Sequence, residues 1–232
     1  VKPYYEHGGI VIYHGDCREI LPTLPKCDLL LTDPPYGIGE AAGKNASRNK
    51  PFGKSLPHNS KNTIVAAKDY GNSDWDNQPA SDSDLFLARQ QTSSQIIFGG
   101  NYFSLPPSSC WLVWDKVNGD SDFADCELAW TNRKSAVRMF RWKWNGMLQE
   151  DMRHKETRVH PTQKPLALMK WCLSLFPDAR TILDPFCGSG TTLVAAKAMG
   201  LTAIGIELHE PYCEIAAKRL SQEVFDFEGA RG

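Results

Sequence analysis

The run Thr32-Asp33-Pro34-Pro35-Tyr36-Gly37 joins a carboxylate, two prolines and an aromatic ring in one short turn. Proline fixes φ and removes a backbone donor, so two in succession stiffen the chain and suit aiming a carbonyl oxygen outward rather than at a neighbouring strand. A carboxylate and a carbonyl are both acceptors. Together they can take both hydrogens of an exocyclic amine while the Tyr36 ring stacks on the base that carries it. An ordinary loop with an Asp turn explains Asp33-Pro34 alone. It leaves Tyr36 and the preceding apolar run Asp28-Leu29-Leu30-Leu31-Thr32 as coincidences.

A second run, Asp184-Pro185-Phe186-Cys187-Gly188-Ser189-Gly190-Thr191-Thr192, lies between an apolar segment and a helical one. Glycine lets a backbone approach a ligand closely, and a helix start offers unpaired N–H donors. Glu207 ends the strand that follows, where nucleotide-binding folds place an acid on the ribose hydroxyls. Leu193 stands where the third glycine of a dinucleotide fingerprint belongs, and there is no phosphate-gripping lysine. A nucleoside-like cofactor without a pyrophosphate fits best, with a purely structural tight turn as the alternative.

These turns need elements to hold them. Gly9–Tyr13, Asp28–Thr32, Gln95–Phe98, Cys110–Trp114, Glu127–Trp130, Thr181–Leu183 and Thr202–Glu207 read as strands. Helices are expected at Arg18–Leu24, around 82–92, at Pro165–Phe176, at Thr191–Met199 closed by Gly200, and from about Pro211. Strands alternating with helices predict an α/β fold: a mostly parallel seven-stranded sheet with helices on both faces and ligands at the carboxyl ends of the strands. The two turns should meet on that edge.

The chain has 232 residues, 26 Lys+Arg against 27 Asp+Glu, and is 41% hydrophobic. That is long enough for a real core and too apolar for a disordered chain. No run is long and apolar enough to span a bilayer and no signal core is visible, so neither a membrane nor a secreted protein is expected. Seven cysteines, odd in number and without a C-x-x-C pair, argue against disulfides and zinc and for a cytoplasmic location. The six histidines show no ligand spacing, so no metal is expected. Residues 41–68 hold Lys44, Arg48, Lys50, Lys54, Lys61 and Lys68 with no acid, and residues 133–158 hold eight basic residues against three acids. Such segregation on a nearly neutral chain suggests a polyanion on one face, or else a solvated face.

With Asp-Pro-Pro-Tyr at 33–36 and Asp-Pro-Phe-Cys-Gly-Ser-Gly at 184–190, the chain resembles the S-adenosylmethionine-dependent DNA amino-methyltransferases. The order of the motifs, catalytic first and cofactor last, is that of their permuted beta group. Gly15-Asp16-Cys17, Trp114-Asp115-Lys116 and His160-Pro161-Thr162-Gln163-Lys164-Pro165 extend the resemblance over about Gly8 to Leu220. It implies one catalytic methyltransferase domain over 1–232, a mobile basic loop at 37–68 and a short target-recognition insertion at 131–159. Trp142 and Trp144 in that insertion would wedge or stack into DNA, unless they pack together in a hairpin.

The resemblance also implies a site. S-adenosylmethionine would be held by Asp16 and Cys17 at its adenine, by Glu207 at its ribose, and by Asp184, Phe186, Gly188, Ser189, Gly190 and Thr191 towards its methionine end. Thr162, Gln163 and Lys164 would lie near the methionine carboxylate. Thr162 and Gln163 could instead cap the helix from Pro165, and Phe186 could be core. Asp33, Pro34, Pro35 and Tyr36 would be catalytic on a base flipped out of double-stranded DNA, with Asp33 close to the cofactor methyl. Adenine N6 is the favoured target and cytosine N4 the alternative. A silent DNA-binding subunit is disfavoured by the intact motifs, and an NAD oxidoreductase by the absent third glycine. A homodimer is the base-rate expectation. A partner nuclease is not visible.

Overall fold

The computed structural model describes residues 1–38, 78–119, 124–145, 148–159 and 162–222. Its centre is β3 (Cys27–Thr32), whose Leu29, Leu30 and Leu31 are fully buried because both faces of the sheet are covered. Parallel to it on one side run β10 (Thr181–Asp184), β11 (Thr202–Glu207) and β2 (Ile10–His14), and on the other β4 (Thr92–Phe98). Beyond β4, strand β6 (Cys126–Thr131) runs antiparallel, and β5 (Trp111–Asp115) reverses again beside it.

These seven are the expected strands, but among the described residues the sheet has nine. The hairpin strand β1 (Tyr5–His7) extends one edge and β7 (Arg138–Arg141) the other. Both are short and mostly exposed, so neither carries an apolar run that sequence reading could find.

Side chains alternate across the sheet. Leu29, Leu31 and Ile182 face one core, shared with α3 (Leu166–Ser174), α4 (Thr191–Ala198) and α5 (Glu210–Ser221). Leu30, Leu183 and Ile206 face the other, against α1 (Cys17–Ile20) and α2 (Asp82–Gln90). Ser81 starts α2 with a capping box, its hydroxyl accepting from the Asp84 amide.

The insertion at 131–159 holds β7 and a small hairpin of β8 (Trp144–Asn145) and β9 (Leu148–Gln149). Its tryptophans pack inward, against the reading of a DNA wedge and towards that of an apolar hairpin. Trp144 is buried and its indole donates to the Gln163 carbonyl at 3.1 Å. Trp142 stacks on Phe140, and Phe140 on Trp171. The basic loop expected at 37–68 lies outside the described residues from position 39 onward. No described helix is long and apolar enough to cross a membrane, and all seven cysteines are free.

Candidate active site

Parallel pairing sets the carboxyl ends of β2, β11, β10 and β3 side by side, so the residues that follow them share one edge. In that order the edge presents Asp16, Glu207, Asp184 and Asp33. A cleft of about 310 Å³ runs along it, lined by all four acids. Cys17, Pro35, Thr162, Gln163, Lys164, Phe186, Gly188, Ser189 and Thr191 line it as well. Of the residues singled out from sequence, Pro34, Tyr36 and Gly190 do not. Pro34 is buried and Tyr36 half-buried.

Gly190 acts on the scaffold. Its φ of +79° is open to glycine, and a Cβ there would stand 2.8 Å from the Ala216 methyl, so its absence lets α5 pack close to the loop. Arg219 on α5 secures the same loop, its guanidinium donating to the Ser189 carbonyl at 2.6 Å and to Thr191 Oγ1 at 3.1 Å.

Glu207 lines the cleft between Asp16 and Asp184. Its Oε2 accepts from the Gly188 amide at 2.9 Å and its Oε1 from the His209 amide at 2.8 Å. Burial raises its carboxyl above the ordinary range in spite of both bonds. Asp16 caps α1 by accepting from the Arg18 amide at 2.9 Å, and it pairs with the Arg18 side chain. The hydrogen bonds from Arg18 hold its carboxyl low. Asp184 is buried, accepts from Thr32 Oγ1 at 2.7 Å, and is pushed up to about 6 by desolvation. Burial lifts the Cys17 thiol to about 12 and the Cys187 thiol well above its ordinary value, so neither is a thiolate nucleophile near neutral pH.

At the β3 end of the cleft Tyr36 Oη donates to Asp33 Oδ1 at 2.5 Å. The Tyr36 ring stacks on Tyr102, centroids 5.0 Å apart and planes 15° apart. Lys164 Nζ lies 2.6 Å from Asp33 Oδ2 and 3.1 Å from Glu127 Oε2, and Lys116 pairs with Glu127 Oε1. The Lys164 ammonium thus faces two protein carboxylates within the cleft. Burial and the neighbouring Glu127 raise the Asp33 carboxyl, and Lys164 and the Tyr36 hydroxyl oppose them. The net direction is up.

Gln163 is buried, accepts from the Val159 amide through Oε1 at 2.9 Å, and leaves Nε2 without a hydrogen-bond partner among the described residues. It does not cap α3. Glu156 does, with both carboxylate oxygens near the Leu166 amide at 3.0 and 3.2 Å. Sequence reasoning missed Glu127, Arg219 and Tyr102, and placed Lys116 only within a motif.

A family model described as DNA methylase matches residues 115–218. The chain is 27% identical to the type II methyltransferase M.ScaI of Streptomyces caespitosus, over 96% of this chain and 84% of that protein. In fold it is similar to the crystal structure of an M1.HpyAVI–SAM complex, with a TM-score of 0.50 and 24% identity over 91% of this chain and all of that one. It is also similar to the cytosine-N4-specific PvuII DNA methyltransferase, with a TM-score of 0.55 and 14% identity over 98% of this chain and 92% of that one.

Proposed function

We propose that this chain, which carries a DNA methylase domain of the N6/N4 family, transfers a methyl group from S-adenosylmethionine to the N6 amine of adenine in double-stranded DNA. One observation carries the reading: a single cleft joins Glu207, suited to ribose hydroxyls, to Asp33, suited to an amine. An Asp at the head of the 33–36 turn favours adenine by the habit of the family that the chain resembles.

The residues present fit the cofactor. Glu207 has both oxygens fixed by backbone donors and retains lone pairs for hydroxyl groups. Asp16 and the Cys17 backbone stand at the adenine end, with Phe186 offering apolar surface. The methionine end falls to Asp184, Thr162 and the loop Gly188–Thr191. The buried Gln163 Nε2 is a donor still awaiting an acceptor, which a bound group could supply. S-adenosylmethionine supplies an electrophilic methyl on a sulfonium.

The chain's own part is positioning and electrostatics. An aromatic amine is a poor nucleophile because its lone pair is delocalised into the ring. Asp33 and the Pro34 carbonyl, accepting its hydrogens, favour a more tetrahedral nitrogen with the lone pair free. Each carboxylate oxygen has two lone pairs, so Asp33 can accept an amine hydrogen beside its bonds to Tyr36 and Lys164. The proton becomes acidic only as the nitrogen gains charge, and Asp33 then receives it.

Digestion of DNA treated with the protein and S-adenosylmethionine, followed by nucleoside mass analysis, tests the reading. N6-methyladenine is expected. N4-methylcytosine would overturn the choice of base, and no methylated nucleoside would overturn the activity.

A further inference from the structure

We propose that Lys164 is the counterion of Asp33 rather than a ligand of the cofactor carboxylate, and that Glu127 is the positioning residue that keeps it there. The inference rests on the reading of Asp33 as the group that meets the target amine.

Four charged side chains from four separate segments alternate in sign at this end of the cleft. Lys116 follows β5, Glu127 stands on β6, Lys164 precedes α3 and Asp33 follows β3. Glu127 reaches the site because β6 runs against its neighbours, which brings its amino end to the edge where β3 and β4 end. The Lys164 side chain is only 6% exposed. Its ammonium touches two carboxylates, and the rings of Phe98 and Tyr36 lie 5.4 and 5.6 Å away. With Lys116 on the far side of Glu127, two cations offset two anions. The cluster therefore offers an incoming carboxylate no net attraction.

The arrangement has a use at Asp33. A protonated Asp33 would be a weak acceptor at the oxygen that carries the proton and could not take up the proton that the amine loses. Among the described residues, the titratable groups that act on Asp33 are Lys164, Glu127 and Tyr36, with Asp184 on the neighbouring strand end. Burial and Glu127 favour the neutral acid. Among the described residues, Lys164 is the cation that opposes them. Glu127 in turn is held below the ordinary range by Lys164 and Lys116, which together outweigh its own burial. Removing Lys164 would leave Asp33 and Glu127 as two buried carboxylates with their one remaining cation, Lys116, on the far side of Glu127, and like charges at close quarters force one to take a proton.

The test measures methyl transfer against pH, with S-adenosylmethionine affinity by calorimetry, for wild type, Lys164→Met, Lys164→Arg, Glu127→Gln and the Lys164→Met/Glu127→Gln pair. Each unit by which the Asp33 pKa rises above the assay pH lowers the ionised fraction about tenfold. Lys164→Met should therefore lose about tenfold or more of kcat at neutral pH, recover as pH rises, and keep cofactor affinity within about twofold. Lys164→Arg keeps the charge and should keep the wild-type pH profile. Glu127→Gln should lower kcat in the wild-type background yet raise it beside Lys164→Met, because neutralising one carboxylate relieves the other. Should Lys164→Met fail to fold, the paired variant compared with Glu127→Gln reads the loss of Lys164 at one constant state of position 127, and its acid limb should still move to higher pH. Parallel pH profiles, or a loss expressed as weaker cofactor binding, overturn the inference alone. A wild type that methylates nothing at any pH overturns the reading beneath it.

Discussion

The ring of Tyr36 fills the space that a side chain at Gly99 would need. A Cβ built on Gly99 overlaps the ring carbons, and the residue has a φ of +64°. Gly99 directly follows β4, and its amide donates to the Leu128 carbonyl at 2.8 Å. The end of a neighbouring strand therefore shapes the seat of Tyr36, with Tyr102 stacked against it. The turn at 33–36 does not place its aromatic ring by itself.

Gly99→Ala should accordingly displace Tyr36 and strain the backbone. Overpacking and a left-handed φ each cost about 1–3 kcal/mol. The expected result is a lower melting temperature and a fall in methyl transfer larger than any fall in cofactor affinity. Unchanged melting and unchanged turnover would mean that the Tyr36 seat adapts.

Glu207→Ala removes a buried carboxylate that two amides hold in place. S-adenosylmethionine affinity should weaken by the ~1–3 kcal/mol typical of charge-assisted hydrogen bonds. Calorimetry on the folded variant measures it. An unchanged dissociation constant would remove Glu207 from the cofactor site.

Asp184 gives a pH dependence with a definite sign. Burial lifts its pKa from 3.8 to about 6 in the folded chain, above its unfolded value. Its favourable contribution is then fully present at low pH and is lost as pH rises from about 4 through about 6. The change is on the order of 3 kcal/mol. Asp184→Asn should flatten that part of the stability curve in denaturant titrations run at a series of pH values. An identical slope in wild type and variant would show that Asp184 ionises normally.

The strands that carry Asp33, Asp184 and Glu207 were legible because each is a buried apolar run that stops at its acid. The glycines at 188 and 190 marked the turn for a local reason, the positive φ that both adopt. What sequence could not show depends on pairing between distant segments. Glu127 enters the site only because β6 runs antiparallel between β4 and β5, and a reversed strand reads the same as a parallel one. Arg219 looks like any surface cation near the end of a helix until α5 packs behind the glycine loop. Trp142 and Trp144 sit among basic residues, and their inward packing rests on Phe140, itself stacked on Trp171, and on the Gln163 carbonyl.

The most direct measurement compares wild type with Asp33→Ala, using labelled S-adenosylmethionine and double-stranded DNA. Asp33 meets the amine in this account, whereas Glu207 and Asp184 serve the cofactor. Label should pass to DNA with wild type, and Asp33→Ala should abolish the transfer while S-adenosylmethionine still binds in calorimetry. Near-normal turnover by Asp33→Ala would contradict the account.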